Sequence, residues 1–125
     1  MKEIIVSDKA PAAVGTYSVA TKAGNTVYCS GQLGLDPASG TLPASFEAQC
    51  RQALKNVFAV LEAAGAEEKD IVRLMIFVKD LNDFPTLNAI MEEVFTAPFP
   101  ARSCVQAAAL PKGGLVEIEA TAVIG

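Results

Sequence analysis

Residues 71–79 are apolar almost without a break, and the β-branched Ile71, Val72, Ile76 and Val78 among them fit a pleated surface better than a helix. A run this short and this continuous suits a strand buried on both faces at the centre of a sheet, closed by Asp80 and Asn82. The rest of the fold has to be arranged around it.

Neighbouring segments supply the remaining elements. Short apolar stretches near 3–6, 17–21 and 26–30 read as strands, with Gly24-Asn25 turning the chain between the second and third. Glycines, prolines and Asp36 mark 31–43 as a loop. Beyond it Phe46, Cys50, Ala53, Leu54, Val57, Phe58 and Leu61 recur every three or four residues, the spacing of an amphipathic helix, which Gly65 ends. Asp83 is placed to N-cap a second helix carrying Leu87, Ile90, Met91, Val94 and Phe95, before Pro98-Phe99-Pro100 forces an extended chain. Strands over 102–110 and 115–124, separated by a loop at 111–114, complete the order β-β-β-α-β-α-β-β. Two helices with one apolar stripe each can cover a single face of one sheet, leaving the other face free for a partner or a ligand.

A chain of 125 residues is long enough for one compact core and too short for two ordinary domains, so one domain over 1–125 is expected and any larger site must come from oligomerisation. Hydrophobic residues make up 51% and charged residues 19%, far from the profile of a disordered chain. The net charge is −4 and the ten Lys and Arg residues are scattered, so no run can neutralise successive phosphates and nucleic-acid binding is disfavoured. No basic-then-apolar leader occurs, and no window approaches the roughly 20 apolar residues that span a bilayer, which argues against export and membrane insertion. Cys29, Cys50 and Cys104, odd in number and outside any CxxC pattern, argue against a disulfide framework or a zinc knuckle and for a reducing cytoplasm. Histidine is absent, which removes the commonest general base and the commonest transition-metal ligand together. No metal is expected, and catalysis falls to other groups.

Arg102 follows Pro100-Ala101 at the start of a strand, and its planar guanidinium is suited to bidentate capture of a carboxylate, although a surface ion pair is the commoner fate of such a residue. In the last strand Leu115, Glu117, Glu119, Thr121 and Val123 share one face, while Val116, Ile118, Ala120, Ala122 and Ile124 share the other, which must be the helix-covered core. Glutamates on the open face either meet water or act as a general acid and base in a cleft. A plain hairpin through 111–114 would leave Glu117 about 20 Å along the strand from Arg102. A common pocket therefore requires either that the last strand pairs elsewhere in the sheet or that the two residues meet across a subunit boundary. Ser30 and Gly31 end a strand where backbone NH groups can approach a ligand, or form a plain turn. Tyr17 offers a phenol to the same pocket or covers the core edge, and Asn88 faces solvent or fixes a loop. Cys104 falls on the strand face of Arg102, where a small buried hydrophobe is the better reading than a nucleophile.

The residues Ala10-Pro11, Gly15, Tyr17-Ser18, Gly24-Asn25, Ser30-Gly31-Gln32, Leu35-Asp36-Pro37, Asn88, Pro100-Ala101-Arg102-Ser103 and Val116-Glu117-Ile118-Glu119-Ala120 resemble, in order and spacing, the RidA (YjgF-type) reactive-intermediate deaminase family. The resemblance covers nearly the whole chain. It implies an α+β, chorismate-mutase-like fold, with a mixed six-stranded sheet, two helices on one face and the last strand inserted between earlier ones. It also implies a cytoplasmic homotrimer with clefts between subunits and no cofactor, converting 2-iminopropanoate or 2-iminobutanoate with water into the 2-oxo acid and ammonia. On matching positions, Arg102 would clamp the substrate carboxylate and Glu117 would position and activate water. Ser30, Gly31, Cys104, Tyr17 and Asn88 would line the pocket. Thr16, Val19 and Met91 depart from the Pro, Gln and Tyr common in the family, and the loop before Pro100 is short, which bears on pocket shape and substrate preference. The rival readings are a non-catalytic protein that binds a small carboxylate and a stress-related holdase on the same trimer. A ribonuclease role fits poorly with the acidic charge and the missing histidine.

Overall fold

The computed structural model describes residues 2–125. One mixed sheet contains β1 (Glu3–Ile5), β2 (Ala20–Ala23), β3 (Thr26–Leu33), β4 (Ile71–Val78), β5 (Ala101–Gln106) and β6 (Val116–Val123), and the helices are α1 (Phe46–Ala63) and α2 (Phe84–Val94). The expected element order and the α+β, chorismate-mutase-like architecture are both found. Strands lie side by side as β1-β2-β3-β6-β4-β5. The last strand thus enters between β3 and β4, antiparallel to each, while β5 runs parallel to β4 at the sheet edge. No hairpin joins β5 to β6; a short turn at Pro111–Gly113 leads the chain to its inserted position.

The core is a single apolar cluster between the sheet and the helices, drawing Leu54, Val57, Val60 and Leu61 from α1 and Leu87 and Ile90 from α2. Along β6 the alternation is as expected: Val116, Ile118, Ala120 and Ala122 are buried, whereas Glu117 and Thr121 are half-buried and Glu119 and Val123 exposed. In α1 the Ser45 hydroxyl accepts from the Ala48 N–H at 3.1 Å, capping one of the four amides that lack an intrahelical partner. Among the described residues, no helix is long and apolar enough to cross a membrane.

Five expectations need correction. The strand expected over 102–110 spans Ala101–Gln106, because its ladder with β4 ends where Gln106 faces Val78. The second strand occupies Ala20–Ala23 rather than 17–21, because the ladder to β1 and β3 begins at Ala20 and leaves Tyr17 and Ser18 ahead of it. The third continues past residue 30 to Leu33, because β6 supplies partners there, Ile118 for Gln32 and Glu117 for Leu33. β4 is buried on one face only: Ile71, Leu74, Ile76 and Val78 point into the core, but Met75 and Phe77 are half-buried on the open face. Its apolar run reflects two apolar faces of which the chain itself covers one. Asp83 occupies the N-cap position of α2 without a side-chain cap bond; Asp80 instead accepts from the Asn82 N–H at 2.9 Å in the preceding turn.

Candidate active site

Two clusters of the candidate residues form, on opposite sides of the sheet. The first gathers around Glu117. Between Cys29, which faces Ala120, and Gln32, which faces Ile118, β3 carries Ser30 and Gly31 opposite the single residue Glu119. Such a bulge bends a strand and re-aims its side chains. Here it brings the Gly31 backbone under the Glu117 side chain. A Cβ on Gly31 would lie 2.9 Å from the Glu117 carboxyl carbon and 3.1 Å from Oε2, so only glycine leaves the carboxyl where it is. Glu117, Gly31, Tyr17, Val19 and Lys112 line one cavity of about 270 Å³. Burial, and secondarily the negative charge of Glu119, push the Glu117 carboxyl above its ordinary pKa.

Ser30 does not join that cavity. Its hydroxyl donates to the Ser18 carbonyl at 2.7 Å, and it lines an adjoining hollow on the open face with Tyr28 and Glu119. Its part in the first cluster is to tie the segment carrying Tyr17 to the bulge.

The second cluster surrounds Arg102. Arg102 pairs across the β5–β4 ladder with Leu74, whose side chain points to the helices, and the guanidinium reaches α2. There Nη2 donates to Asn88 Oδ1, and the guanidinium carbon lies 5.3 Å from the centre of the Phe84 ring. Among the described residues Arg102 makes no ion pair. The surface salt bridge that its position alone made the commoner expectation is therefore not formed, and the donors not given to Asn88 remain free for an anion. Arg102 and Asn88 border a cavity of about 330 Å³ whose other walls include Leu74, Met91, Phe95 and Phe99. Cys104 shares the strand face of Arg102 but packs against the core and lines neither cavity. Burial raises its thiol pKa against the opposing pull of Arg102, and burial likewise holds Cys29 and Cys50 up at about 12. None of the three is an activated thiolate.

Insertion of β6 does not by itself unite Arg102 with Glu117. Glu117 faces Phe77, and Phe77 faces Val105, so Arg102 lies two strands and three residues away, about 14 Å at the Cα atoms. Their side chains also leave opposite faces of the sheet. Of the two routes to a common pocket, re-pairing of the last strand is therefore insufficient within one chain, and only a meeting across copies is left.

Two supporting residues escaped sequence reasoning. Asn56 is fully buried on α1, and its Nδ2 donates to the carbonyls of Leu33 and Leu35 at 3.0 and 2.9 Å, fixing the chain as it leaves β3. Gln49, one coil before Ala53, donates to the Pro43 carbonyl at 2.8 Å and accepts from the Leu115 N–H at 2.9 Å, fixing the entry to β6 two residues before Glu117. The sequence signal was a polar side chain at each of two positions in register with the apolar stripe of α1, where burial demands hydrogen-bond partners. Among the described residues, no group of three or more Cys, Asp and Glu side chains is gathered so as to hold a metal ion.

Residues 7–124 match the family model described as Endoribonuclease L-PSP. The chain is 51% identical over 126 residues to the 2-iminobutanoate/2-iminopropanoate deaminase of Escherichia coli K12, spanning 98% of each protein. It is 48% identical to the protein of the same name from Bos taurus, over 100% of this chain and 92% of that one. The crystal structure of RidA from the Antarctic bacterium Psychrobacter sp. PAMC 21119 superposes with a TM-score of 0.96 at 52% identity, over 98% of this chain and 99% of that one. With the Arg102 and Glu117 motifs in place on the same fold, the chain belongs to the RidA (YjgF-type) family.

Proposed function

We propose that this chain is a hydrolase that deaminates 2-imino acids, 2-iminopropanoate and 2-iminobutanoate among them, to 2-oxo acids and ammonia. It works as a cytoplasmic homotrimer of single-domain chains, each spanning 1–125, with Arg102 of one copy and Glu117 of the next facing a shared cleft. The observation that carries this reading is the Arg102 guanidinium, held by a neutral amide and an aromatic ring with no carboxylate of its own. The names of the full-length relatives, at about half identity, supply the reaction.

In this mechanism the substrate carboxylate takes the free donors of Arg102, which fixes the adjacent imine carbon within reach of a water molecule. Glu117 accepts a proton from that water as its oxygen bonds to the imine carbon and the C=N bond becomes a single bond. That proton passes to nitrogen, giving an amino alcohol; Glu117 then relays the hydroxyl proton to the same nitrogen as the C=O bond forms, the C–N bond breaks and ammonia leaves. A carboxyl raised above its ordinary pKa is a stronger base near neutrality than a solvated glutamate. The chemistry needs only water and proton transfer, so no cofactor is invoked. Tyr17 and Gly31 flank the base, Asn88 orients the clamp, and Ser30 and Cys104 support the walls.

Assembly is favoured by the open face of the sheet, where Tyr28, Met75, Phe77 and Val105 present apolar surface that no helix covers. A nuclease reading, suggested by the family description, is opposed by the net charge of −4 and by the lack of histidine. Nucleic acid and membranes are accordingly not expected partners.

The test is complementation. Arg102→Ala and Glu117→Gln chains should each be inactive in an assay that generates the imine with an amino-acid oxidase. Mixed trimers, isolated through two different affinity tags, should recover about a third of wild-type activity, because a closed ring of both variants holds one intact pair among its three interfaces. Mixed trimers as inactive as their parents would show that the two groups do not cooperate across copies.

A further inference from the structure

We infer that Lys112 is an electrostatic steering residue, whose ammonium draws the anionic substrate into the Glu117 side of the cleft. The inference rests on the imine-hydrolase reading and adds a residue to it.

The chain enters β6 through two overlapping tight turns. The Gly113 N–H donates to the Leu110 carbonyl at 3.2 Å, and the Gly114 N–H donates to the Pro111 carbonyl at 3.0 Å. A turn with proline second and a positive φ third is the kind whose third place glycine or asparagine normally fills. Lys112 stands there instead, at φ 58 and ψ 19, the one non-glycine residue with a positive φ among the described residues. The turn cannot relax it. A Cβ on Gly114 would lie 2.8 Å from Leu33 Cδ2, so the turn is pressed against the end of β3, and Gln49 holds the Leu115 N–H just beyond it. Glycine already occupies 113 and 114, and a third at 112 would suit the backbone better. Lys112 is also exposed, so packing does not explain why a lysine bears this strain.

What the side chain contributes is charge in a particular place. Among the described residues that border the cavity of about 270 Å³ around Glu117, three are charged: Asp36, Glu117 and Lys112, the last its only cation. Lys112 makes no ion pair among the described residues, so its charge is not spent on a neighbour. A 2-imino acid is an anion approaching a chain of net charge −4, and on this side two carboxyl groups meet it. An ammonium on a flexible four-carbon stem offsets that repulsion at long range, where a point charge suffices and a fixed fork is not needed. Arg102 of the same chain cannot do so, because its side chain leaves the other face of the sheet. In the proposed cleft Lys112 therefore acts first, and Arg102 of the next copy then grips the carboxylate.

The test is imine hydrolysis by the assembled protein at about 10 mM and about 1 M salt, between which the screening length falls from about 30 Å to about 3 Å. At low salt Lys112→Gly should lose about 3- to 10-fold in kcat/KM, nearly all of it in KM; Lys112→Glu should lose more, and Lys112→Arg should stay within about twofold of wild type. At high salt all four should agree within about twofold. The acid limb of the kcat profile should not move, since burial and Glu119 are what raise the Glu117 pKa. Lys112→Gly should melt at or above the wild-type temperature, because it removes the backbone strain; a merely structural lysine would show the opposite. A Lys112→Gly protein with wild-type kcat/KM at low salt, a loss that salt does not erase, or a loss that arginine does not restore would overturn the assignment. Failure to hydrolyse any imine would refute the parent reading instead. Calorimetric affinity for pyruvate at the same two salts would still decide the lysine: equal affinity in wild type and Lys112→Gly, or none in either, would overturn it.

Discussion

Replacing Gly31 by alanine tests whether the placement of the Glu117 carboxyl matters, because the damage can be worked out before it is made. The new Cβ would stand 2.9 Å from the carboxyl carbon and 3.0 Å from Cγ, against ordinary contacts of about 3.4 to 4 Å. The carboxyl must therefore retreat by about 0.5 to 1 Å. A misplacement of about 1 Å at a reacting group costs up to about 100-fold in rate, so kcat should fall by roughly 10- to 100-fold. Stability should hardly change. Gly31 has no left-handed backbone conformation, the group that must move is the far end of a flexible side chain, and alanine narrows the unfolded ensemble relative to glycine.

The assay is imine disappearance at saturating substrate, with a thermal melt alongside. Gly31→Ala should lose rate while melting within a few degrees of wild type. Added to Glu117→Gln, it should cost almost nothing further, since two changes acting through one carboxyl are not additive. A Gly31→Ala enzyme with wild-type kcat would refute the reasoning, and so would a full second loss in the double variant.

Asn88→Asp should raise KM by about tenfold or more without lowering the melting temperature, because a charged acceptor would neutralise the guanidinium proposed to hold the substrate carboxylate; steady-state kinetics and a melt decide it. Glu119→Gln should move the acid limb of the kcat/KM profile to lower pH. As the proposed base, Glu117 must be ionised to accept a proton; the charge of Glu119 is the second cause of its raised pKa after burial, and removing that charge lets it ionise earlier. Asn56→Ala would strip donors from the Leu33 and Leu35 carbonyls at a cost of about 2 to 4 kcal/mol, lowering the melting temperature by on the order of 10 °C in calorimetry.

Much of this molecule was legible in the chain because side-chain periodicity records which face of an element is buried. The alternation of β6 identified the core face and the Glu117 face correctly, and the stripe of α1 located that helix to within a residue or two. What periodicity does not record is partnership. The run at 71–79 looked fully buried because apolar residues occupy both faces of β4, yet a second apolar face can await another molecule as readily as a layer of the same chain. Strand ends were misplaced for the same reason: Ser30-Gly31-Gln32 resembles a turn, and only the presence of β6 alongside makes it a bulged strand. Arg102 and Glu117 were each legible as residue types, but their placement on opposite faces depends on strand order, which a list of elements leaves open. Asn56 and Gln49 were overlooked because a polar residue in a stripe of apolar ones reads as an interruption until its partners are known.

The separation of the proposed clamp and base also has an electrostatic logic. Had one chain set Arg102 beside Glu117, the cation would have lowered the carboxyl's pKa, and each charge would have satisfied the other with nothing left for a substrate. Instead Glu117 sits among burial and a like charge, which favour its taking up a proton, and Arg102 is held by Asn88 and Phe84, which orient it without neutralising it. Across the proposed subunit cleft, an incoming carboxylate would take the free donors of Arg102 and neutralise the cation, so that it does not depress the base. The bound substrate's own negative charge would add to that of Glu119 and strengthen the carboxyl's hold on a proton at the step where it must take one from water.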